Sequence, residues 1–426
     1  MKKLLLISYF YPPCTLTAAQ RTGSLHRELY RLGFQVTAVT RKWEDPVHAF
    51  VDMHRPTTKG ASKELKAFGK VIRVPYVPNL RDRLLMHTRL PLLRKLLSVR
   101  EALLQNIYPK YCPFHNVFQA ADKELAANNY DLILVSGNPF IQFQWGHTLA
   151  KKYGLQWIAD YRDAWTTSTI NHIGRGVFYR IYRRWDRYFE RKWVKSAAYI
   201  TASSDEIGLG VAALCDVPYL TLHNGYEQSL FDPVKAVKKR EDIFQIAYIG
   251  TLYQGQPIEL FLTAYKRFVD VHQPKVQLLF PGLALDQKQA QRVTAALVGY
   301  SDYYQISPRV PQEEILKIEK ESHVLLHVAW RGHKGIIASK IYEYIGSGTR
   351  ILVCPGDASS IDEIMRISQA GESIGTVEEV VHFFAQEYKS WQLGPAKNIR
   401  SSENEQLFTR QHQAEKLVDL INTLLQ

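Results

Sequence analysis

Two clusters in this chain have residue types and spacing suited to chemistry. The first is Asp160-Tyr-Arg-Asp-Ala-Trp165, and the second is the pair Lys340 and Glu343. Lys340 carries a mobile positive charge suited to phosphate. Glu343, about one helical turn further on, offers a carboxylate that can accept hydrogen bonds from a pair of sugar hydroxyls. Both stand at the start of a short apolar-periodic segment, where open backbone N–H groups favour an anion. In an ordinary αβ unit, Glu343 would simply be a surface glutamate. In the first cluster, Arg162 could hold Asp160 or Asp163 beside an acceptor hydroxyl or a donor sugar. Otherwise, three alternating charges at a strand end form a structural ion cluster. His223 and His333 lie near turns and could orient groups or serve structure alone.

The elements carrying these residues alternate between strand and helix. Leu4–Tyr9 is a continuous apolar run, Ala18–Leu32 a helix stopped by Gly33, and Gln35–Thr40 a second strand, so the chain opens βαβ. The ligand-facing loop after the first strand would hold Tyr11, Thr15, Thr17 and Arg21. Val71–Val74, Tyr130–Ser136, Trp157–Ala159, Ala198–Ala202 and Pro218–Leu222 read as strands, with a helix over Thr148–Tyr153. The passage between domains falls near His223-Asn-Gly225. A second series follows: strand Phe244–Ile249, helix Pro257–Val269, strand Val276–Phe280, helix Lys317–Ser322 and strand Val324–Val328. Then come the Lys340 helix, a break at Gly346-Ser-Gly348, strand Ile351–Val353 and helices over Ser360–Ser368 and Ala414–Leu425. Gly176–Val194 is the clearest amphipathic helix, with Phe178, Tyr182, Trp185, Phe189 and Trp193 on one stripe and arginines around the rest. Leu80–Gln105 mixes leucines with Arg81, Arg83, Arg89, Arg94, Lys95 and Arg100. Such a segment suits an interfacial helix on anionic lipid, or a helix packed on its own domain with arginines reaching to water.

At 426 residues the chain suits two domains rather than one core. Its formal charge of +13 points to an anionic partner without choosing among nucleotide, lipid surface, nucleic acid and acidic glycan. The arginines are not laid out as a base-reading helix or a stacking sheet, so nucleic acid is not expected. The absence of GxGxxG weakens a nicotinamide-dinucleotide reading, and the absence of a Gly-rich loop ending in Gly-Lys-Ser/Thr leaves an NTPase unsupported. Cys14, Cys112, Cys215 and Cys354 have no metal-ligand or disulfide-framework spacing and read as free thiols. The opening MKKLLLISYFYPP has a short apolar run and no small-residue cleavage site, and reads as a first buried strand. No stretch is long and apolar enough to span a bilayer.

YFYPP near the first strand, DYRDAW, HNGYEQSLF, AYIGTLYQGQ and SKIYEYIGSGTRIL agree in order and spacing with a known family. Over nearly its whole length the chain resembles the retaining, nucleotide-sugar-dependent glycosyltransferases often called family four. The resemblance implies the GT-B fold class: α/β, with two Rossmann-like domains facing across a cleft and a terminal helix crossing back. It implies an acceptor domain over 1–222, a donor domain over 223–405 and a returning helix over 406–426. Glu343 would contact the nucleotide ribose and Lys340 the phosphate, while Gly250, Thr251, Gly335 and Ile336 would face the diphosphate and sugar through their backbone. The family's first signature glutamate is replaced by Gly335. Its usual arginine and lysine after the first donor-domain strand are replaced by Thr251-Leu-Tyr-Gln-Gly-Gln256, so Lys340, Arg331, Lys334 or His333 would supply that charge. Many members carry a histidine where this chain has Asp160. No metal or other cofactor is expected. The partners implied are a nucleotide-sugar donor and a saccharide or lipid-linked acceptor in an envelope pathway. The expected location is cytoplasmic, with contact to an anionic inner membrane face. A nucleotide-sugar epimerase of the same architecture and a non-catalytic anionic-ligand-binding protein are the alternatives.

Overall fold

Leu4, Leu5, Leu6 and Ile7 leave no polar face, so a strand built from them must be covered on both sides. That strand, β1 (Lys3–Ile7), is bonded on both edges to parallel neighbours, and the apolar start of the chain is a central strand. The computed structural model describes residues 1–44, 47, 50–86, 90–168, 176–330, 332–394 and 402–426. The chain divides into two compact units, Met1–His223 with Ala414–Gln426, and Asn224–Gln413.

The first unit runs β1, α1 (Thr17–Arg31), β2 (Gln35–Arg41), β3 (Ser62–Lys66), β4 (Gly69–Val74), α2 (Leu80–Met86), α3 (Pro91–Leu104) and α4 (His115–Ala127). It continues with β5 (Leu132–Ser136), α5 (Gln142–Tyr153), β6 (Gln156–Tyr161), α6 (Val177–Val194), β7 (Tyr199–Ala202), α7 (Asp205–Cys215) and β8 (Tyr219–Thr221). Its sheet has the order β3-β4-β2-β1-β5-β6-β7-β8, parallel except for the edge strand β3. Strand order reverses between β1 and β5, which opens a crevice beyond their carboxyl ends.

The second unit runs β9 (Phe244–Tyr248), α8 (Ile258–His272), β10 (Val276–Pro281), α9 (Gln287–Ala296), β11 (Tyr304–Ser307), α10 (Gln312–Glu321) and β12 (Val324–His327). After these come α11 (Lys340–Ser347), β13 (Arg350–Val353), α12 (Ser360–Ser368), β14 (Gly371–Ser373), α13 (Val377–Gln392) and α14 (Ser402–Gln406). All of its strand pairs are parallel, in the order β11-β10-β9-β12-β13-β14, and its reversal lies between β9 and β12. The division between units falls inside α15 (Arg410–Leu424), whose Leu417 and Ile421 are buried with Leu4, Leu6 and Val36 of the first unit. Among the described residues no helix is long and apolar enough to cross a membrane.

Several elements differ from the sequence reading. β6 extends through Tyr161, so Asp160 lies within the strand and not beyond its end. α5 starts at Gln142 instead of Thr148, because Gly146 is a close-packing residue against Trp157 and not a helix breaker. Leu80–Gln105 is two helices, and Arg89 lies outside the described residues.

Candidate functional site

In the second unit, Gly250 follows β9 with φ +129, a conformation that side chains rarely adopt. The loop beyond it is tied down at several points. Gln256 Nε2 donates to Val328 O at 2.6 Å, Arg292 donates to Gln256 O at 2.8 Å, and Tyr253 packs on Trp330 with ring centroids 5.4 Å apart. A Cβ on Gly255 would stand 2.7 Å from the Trp330 ring, so this loop follows the residues after β12 closely. Gly250 and Thr251 are both exposed at this rim. The turn before α11 contains exposed Lys334, buried Gly335 at φ +75 and half-buried Ile336. Arg331 lies outside the described residues. His333 meets Trp330 edge-on, and its buried Nδ1 has no partner.

Lys340 opens α11, its Cγ 3.9 Å from where a Cβ on Gly250 would stand. Its ammonium folds inward onto two carboxylates, Glu343 on the same helix and Glu319 of α10 at 3.4 Å. Glu319 is fully buried, and its Oε2 has no partner. Burial pushes its carboxyl up to about 7 against the opposing pull of Lys340. Burial alone would lower Lys340, but Glu319 and Glu343 outweigh it and raise the ammonium above its ordinary value. Tyr344, one position past Glu343, fixes the end of β9: its hydroxyl accepts from Ile249 N at 2.8 Å and donates to Ile249 O at 3.1 Å. The Gly250 rim and the Lys340–Glu343 pair are therefore held as one body.

The first unit has a cavity of about 320 Å³ at its own strand-order reversal. Tyr9 and Phe10 after β1, and Asn138, Pro139 and Phe140 after β5, form one side. Arg81 of α2, with Glu101, Gln105 and Asn106 in and after α3, faces Tyr182 and Asp186 of α6. Asp186 is only 8% exposed; burial raises its carboxyl to about 6, although Asn106, Tyr182 and Trp165 hydrogen-bond to it. Arg81 is shared between Asp82 at 2.6 Å and Glu101 at 2.7 Å. Aromatic walls with a few fixed polar groups suit a ligand with both apolar faces and hydroxyls, as a sugar has.

Asp160 is buried and all its acceptor positions are engaged. Arg21 donates to it at 2.6 and 3.2 Å, Ser136 Oγ at 2.9 Å and Thr201 Oγ1 at 2.8 Å. Burial would raise this carboxyl, but Arg21 holds it below the ordinary aspartate range. Arg21 also donates to the carbonyls of Leu222 and His223, at 2.9 and 3.3 Å. The pair thus ties α1 and β6 to the end of β8 instead of facing open space. Arg162 instead pairs with Asp163, which is 52% exposed, and Asn138 Nδ2 approaches Asp163 at 3.4 Å. His223 is held near Ser203 O at 3.3 Å and is lowered to about 4, chiefly by burial and then by Lys416.

The structure therefore brings Lys340, Glu343 and Gly250 together in one unit and separates Asp160 from its motif neighbours. Glu319 and Asp186 were missed from sequence. Asp186 did leave a signal: it is i,i+4 from Tyr182 and adjoins Trp185, an acid set against the aromatic stripe of α6.

No family model matches the chain, and no curated protein matches it in sequence. Solved structures do match over their full length. Sucrose-phosphate synthase from Thermosynechococcus elongatus has a TM-score of 0.63 at 14% identity, covering 100% of this chain and 99% of that one. A glycosyltransferase from Rickettsia africae gives 0.61 at 11%, covering 100% and 99%. Anabaena HepE in complex with UDP and glucose gives 0.55 at 11%, covering 99% and 100%. At this identity the likeness is one of fold: two Rossmann-like α/β domains, the GT-B fold.

Proposed function

We propose that this chain is a glycosyltransferase that moves a sugar from a nucleoside-diphosphate donor held by the second unit to a saccharide or lipid-linked acceptor held by the first. The observation that carries the reading is the Lys340–Glu343 pair beside the Gly250 rim, at the strand-order reversal of a Rossmann-like unit. That is where such sheets bind nucleotides. A diphosphate draws the Lys340 ammonium away from Glu319 and Glu343, and Glu343 is then available to the ribose hydroxyls. Lys334, exposed in the turn before α11, meets the outer phosphate, while backbone N–H groups at Gly250, Thr251, Gly335 and Ile336 line the rest of the donor. The GT-B fold supports the reading, as does the bound UDP and glucose of HepE.

In the transfer, the bond from the anomeric carbon to the leaving phosphate oxygen breaks as the bond to the acceptor oxygen forms. The acceptor proton passes to the departing diphosphate on the same face, which retains configuration. Lys340 and the first turn of α11 offset the charge that develops on the leaving group, so the residues call for no metal, and chelator should leave the rate unchanged. Asp186, with Asn106 and Tyr182, binds acceptor hydroxyls in the first-unit cavity. Of the DYRDAW charges, the exposed Asp163 and its partner Arg162 are assigned to an acceptor group outside that cavity, and Asp160 is a positioning residue. An envelope pathway and a family-four kinship fit the motifs.

Saturation-difference NMR with UDP-, GDP-, ADP- and TDP-sugars, on wild type and Glu343→Ala, tests this reading. One donor class should bind, and its affinity should fall about tenfold or more in the variant, the scale of a lost charge-assisted hydrogen bond pair. Binding that survives the substitution unchanged would remove the assignment. Release of free nucleoside diphosphate only when an acceptor is present separates transfer from epimerisation.

A further inference from the structure

α3 is a 14-residue helix carrying six leucines and a valine, and none of its residues is buried. Leu92 is 75% exposed, Leu96 68% and Val99 58%. A helix with this composition packs its apolar stripe somewhere; Leu97 and Leu104 are half-buried on the inner side, whereas Leu92, Leu96 and Val99 have no such cover among the described residues. α6 shows a related pattern on its outer face, with Val177, Ile181 and Tyr188 each about 60% exposed.

The charges on these helices are sorted by sign. The single acid of α3, Glu101, is only 11% exposed and is taken up by Arg81 at 2.7 Å. Both acids of α6, Asp186 and Glu190, are buried. Among the described residues what remains exposed is cationic: Lys95 and Arg100 on α3, with half-buried Arg94, and Arg180, Arg184, Arg187, Arg191 and Lys192 on α6. Exposed leucines interleaved with exposed cations match a surface that is apolar beneath and anionic above. The segment leaving α3 is tied to α6: Asn106, just past α3, donates to Asp186 of α6 at 3.2 Å, and both line the first-unit cavity.

We infer that α3 and the cationic face of α6 dock the first unit onto an anionic lipid bilayer, with leucines of α3 entering the acyl boundary and the arginines meeting the headgroups. The cavity these helices share then has its rim at the membrane, so its acceptor is a saccharide carried on a lipid. The acceptor clause rests on the transferase reading, whereas docking itself does not. A nucleic acid would leave the leucines unexplained.

The test is flotation of the full chain with vesicles of phosphatidylcholine alone and with about 30 mol% phosphatidylglycerol, a charge density in the range that attracts basic segments. Wild type should float with the anionic vesicles only and be released by high salt. L92D/L96D should lose about tenfold or more in partitioning, the scale of withdrawing two leucine side chains. R184E/R187E should weaken binding about tenfold, from reversed charge near the leaflet. Both substitutions fall on exposed side chains, and circular dichroism checks that each variant folds. No flotation, equal flotation with neutral vesicles, or flotation untouched by both variants overturns the inference. So does sedimentation showing that L92D/L96D splits a dimer that never bound vesicles. Nucleotide-sugar binding, measured in solution on the same preparations, reads the second unit separately. Its loss alongside intact flotation removes the transferase reading and leaves the docking, and the reverse result removes only the docking.

Discussion

Lys340 stands between two carboxylates, and this sets how the candidate donor site responds to pH. Near pH 7 the buried Glu319 changes charge, because its carboxyl is raised to about 7. Below that value Glu319 is neutral, and Lys340 is opposed by Glu343 alone. Above it, a second carboxylate holds the ammonium, and the cluster gains a negative charge that repels a diphosphate. Nucleoside-diphosphate affinity should therefore fall as pH rises through this range, by about tenfold, the scale of one partly screened charge. Calorimetry at about pH 6 and about pH 8 reads it, and Glu319→Gln should remove the dependence while leaving binding at low pH close to wild type. An unaltered pH dependence in that variant would show that Glu319 does not govern Lys340. Lys340 and Glu343 were legible in the sequence because they share one helix turn, where spacing alone sets proximity. Glu319 lies 21 residues away on another helix, and no local pattern shows that it faces Lys340. Asp160 went the other way: its motif drew attention, and only the fold could show Arg21 occupying it from α1.

At the level of elements, α11 carries the site because Gly346 lets it lie against its neighbours. A Cβ there would stand 2.4 Å from the Tyr226 ring and 2.6 Å from the Phe231 ring, both buried. Helix propensity alone favours alanine at such a position by about 1 kcal/mol, so the sign of the effect is diagnostic. Gly346→Ala should destabilise the second unit by about 1–3 kcal/mol through overpacking and weaken donor binding by tilting the first turn of α11. A raised urea midpoint would show that this packing does not hold. From the sequence, Gly346 reads as a helix end. Its φ is ordinary, however, and Gly348 at φ +71 is where the helix stops. The central strands β1, β5 and β12 were legible because burial on both faces leaves near-continuous apolar runs, whereas β2, β9 and β10, interrupted by Thr37, Gln245 and Gln277, were legible from their place in the alternation of strand and helix. Edge strands β3, β11 and β14 were not, because half-exposed segments such as Ser62–Lys66 carry no such run. α13 was readable in principle: Thr376 and Glu379 form a capping box ahead of it.

For the whole molecule, both units are set to weaken in acid by the same imbalance. In the first unit His26 and His223 are lowered to about 4, chiefly by burial, against one strongly raised carboxyl, Asp186 at about 6. In the second, His323 and His327 are lowered to about 4, chiefly by burial, against Glu319 at about 7. A depressed histidine stays neutral in the fold but takes up a proton below about 6.5 when unfolded, so its contribution is lost as pH falls from about 6.5 to about 4. A raised carboxyl takes up its proton first in the fold and so adds stability over part of the same range. Among the groups shifted furthest, two histidines stand against one carboxyl in each unit, so stability should fall as pH goes from about 6 to about 4.5. His323 shows the cause directly. Its Nδ1 accepts the Gln245 N–H at 3.0 Å while its ring stacks on Phe244 at 5.0 Å, so protonation at that nitrogen would break the bond and charge a stacked, buried ring. In His323→Gln, urea midpoints for the second unit at about pH 6 and about pH 4.5 should lie closer together than in wild type, because one of the two opposing protons is gone. An equal separation in the two proteins would mean that the neutral, buried His323 does not set the acid response of this unit.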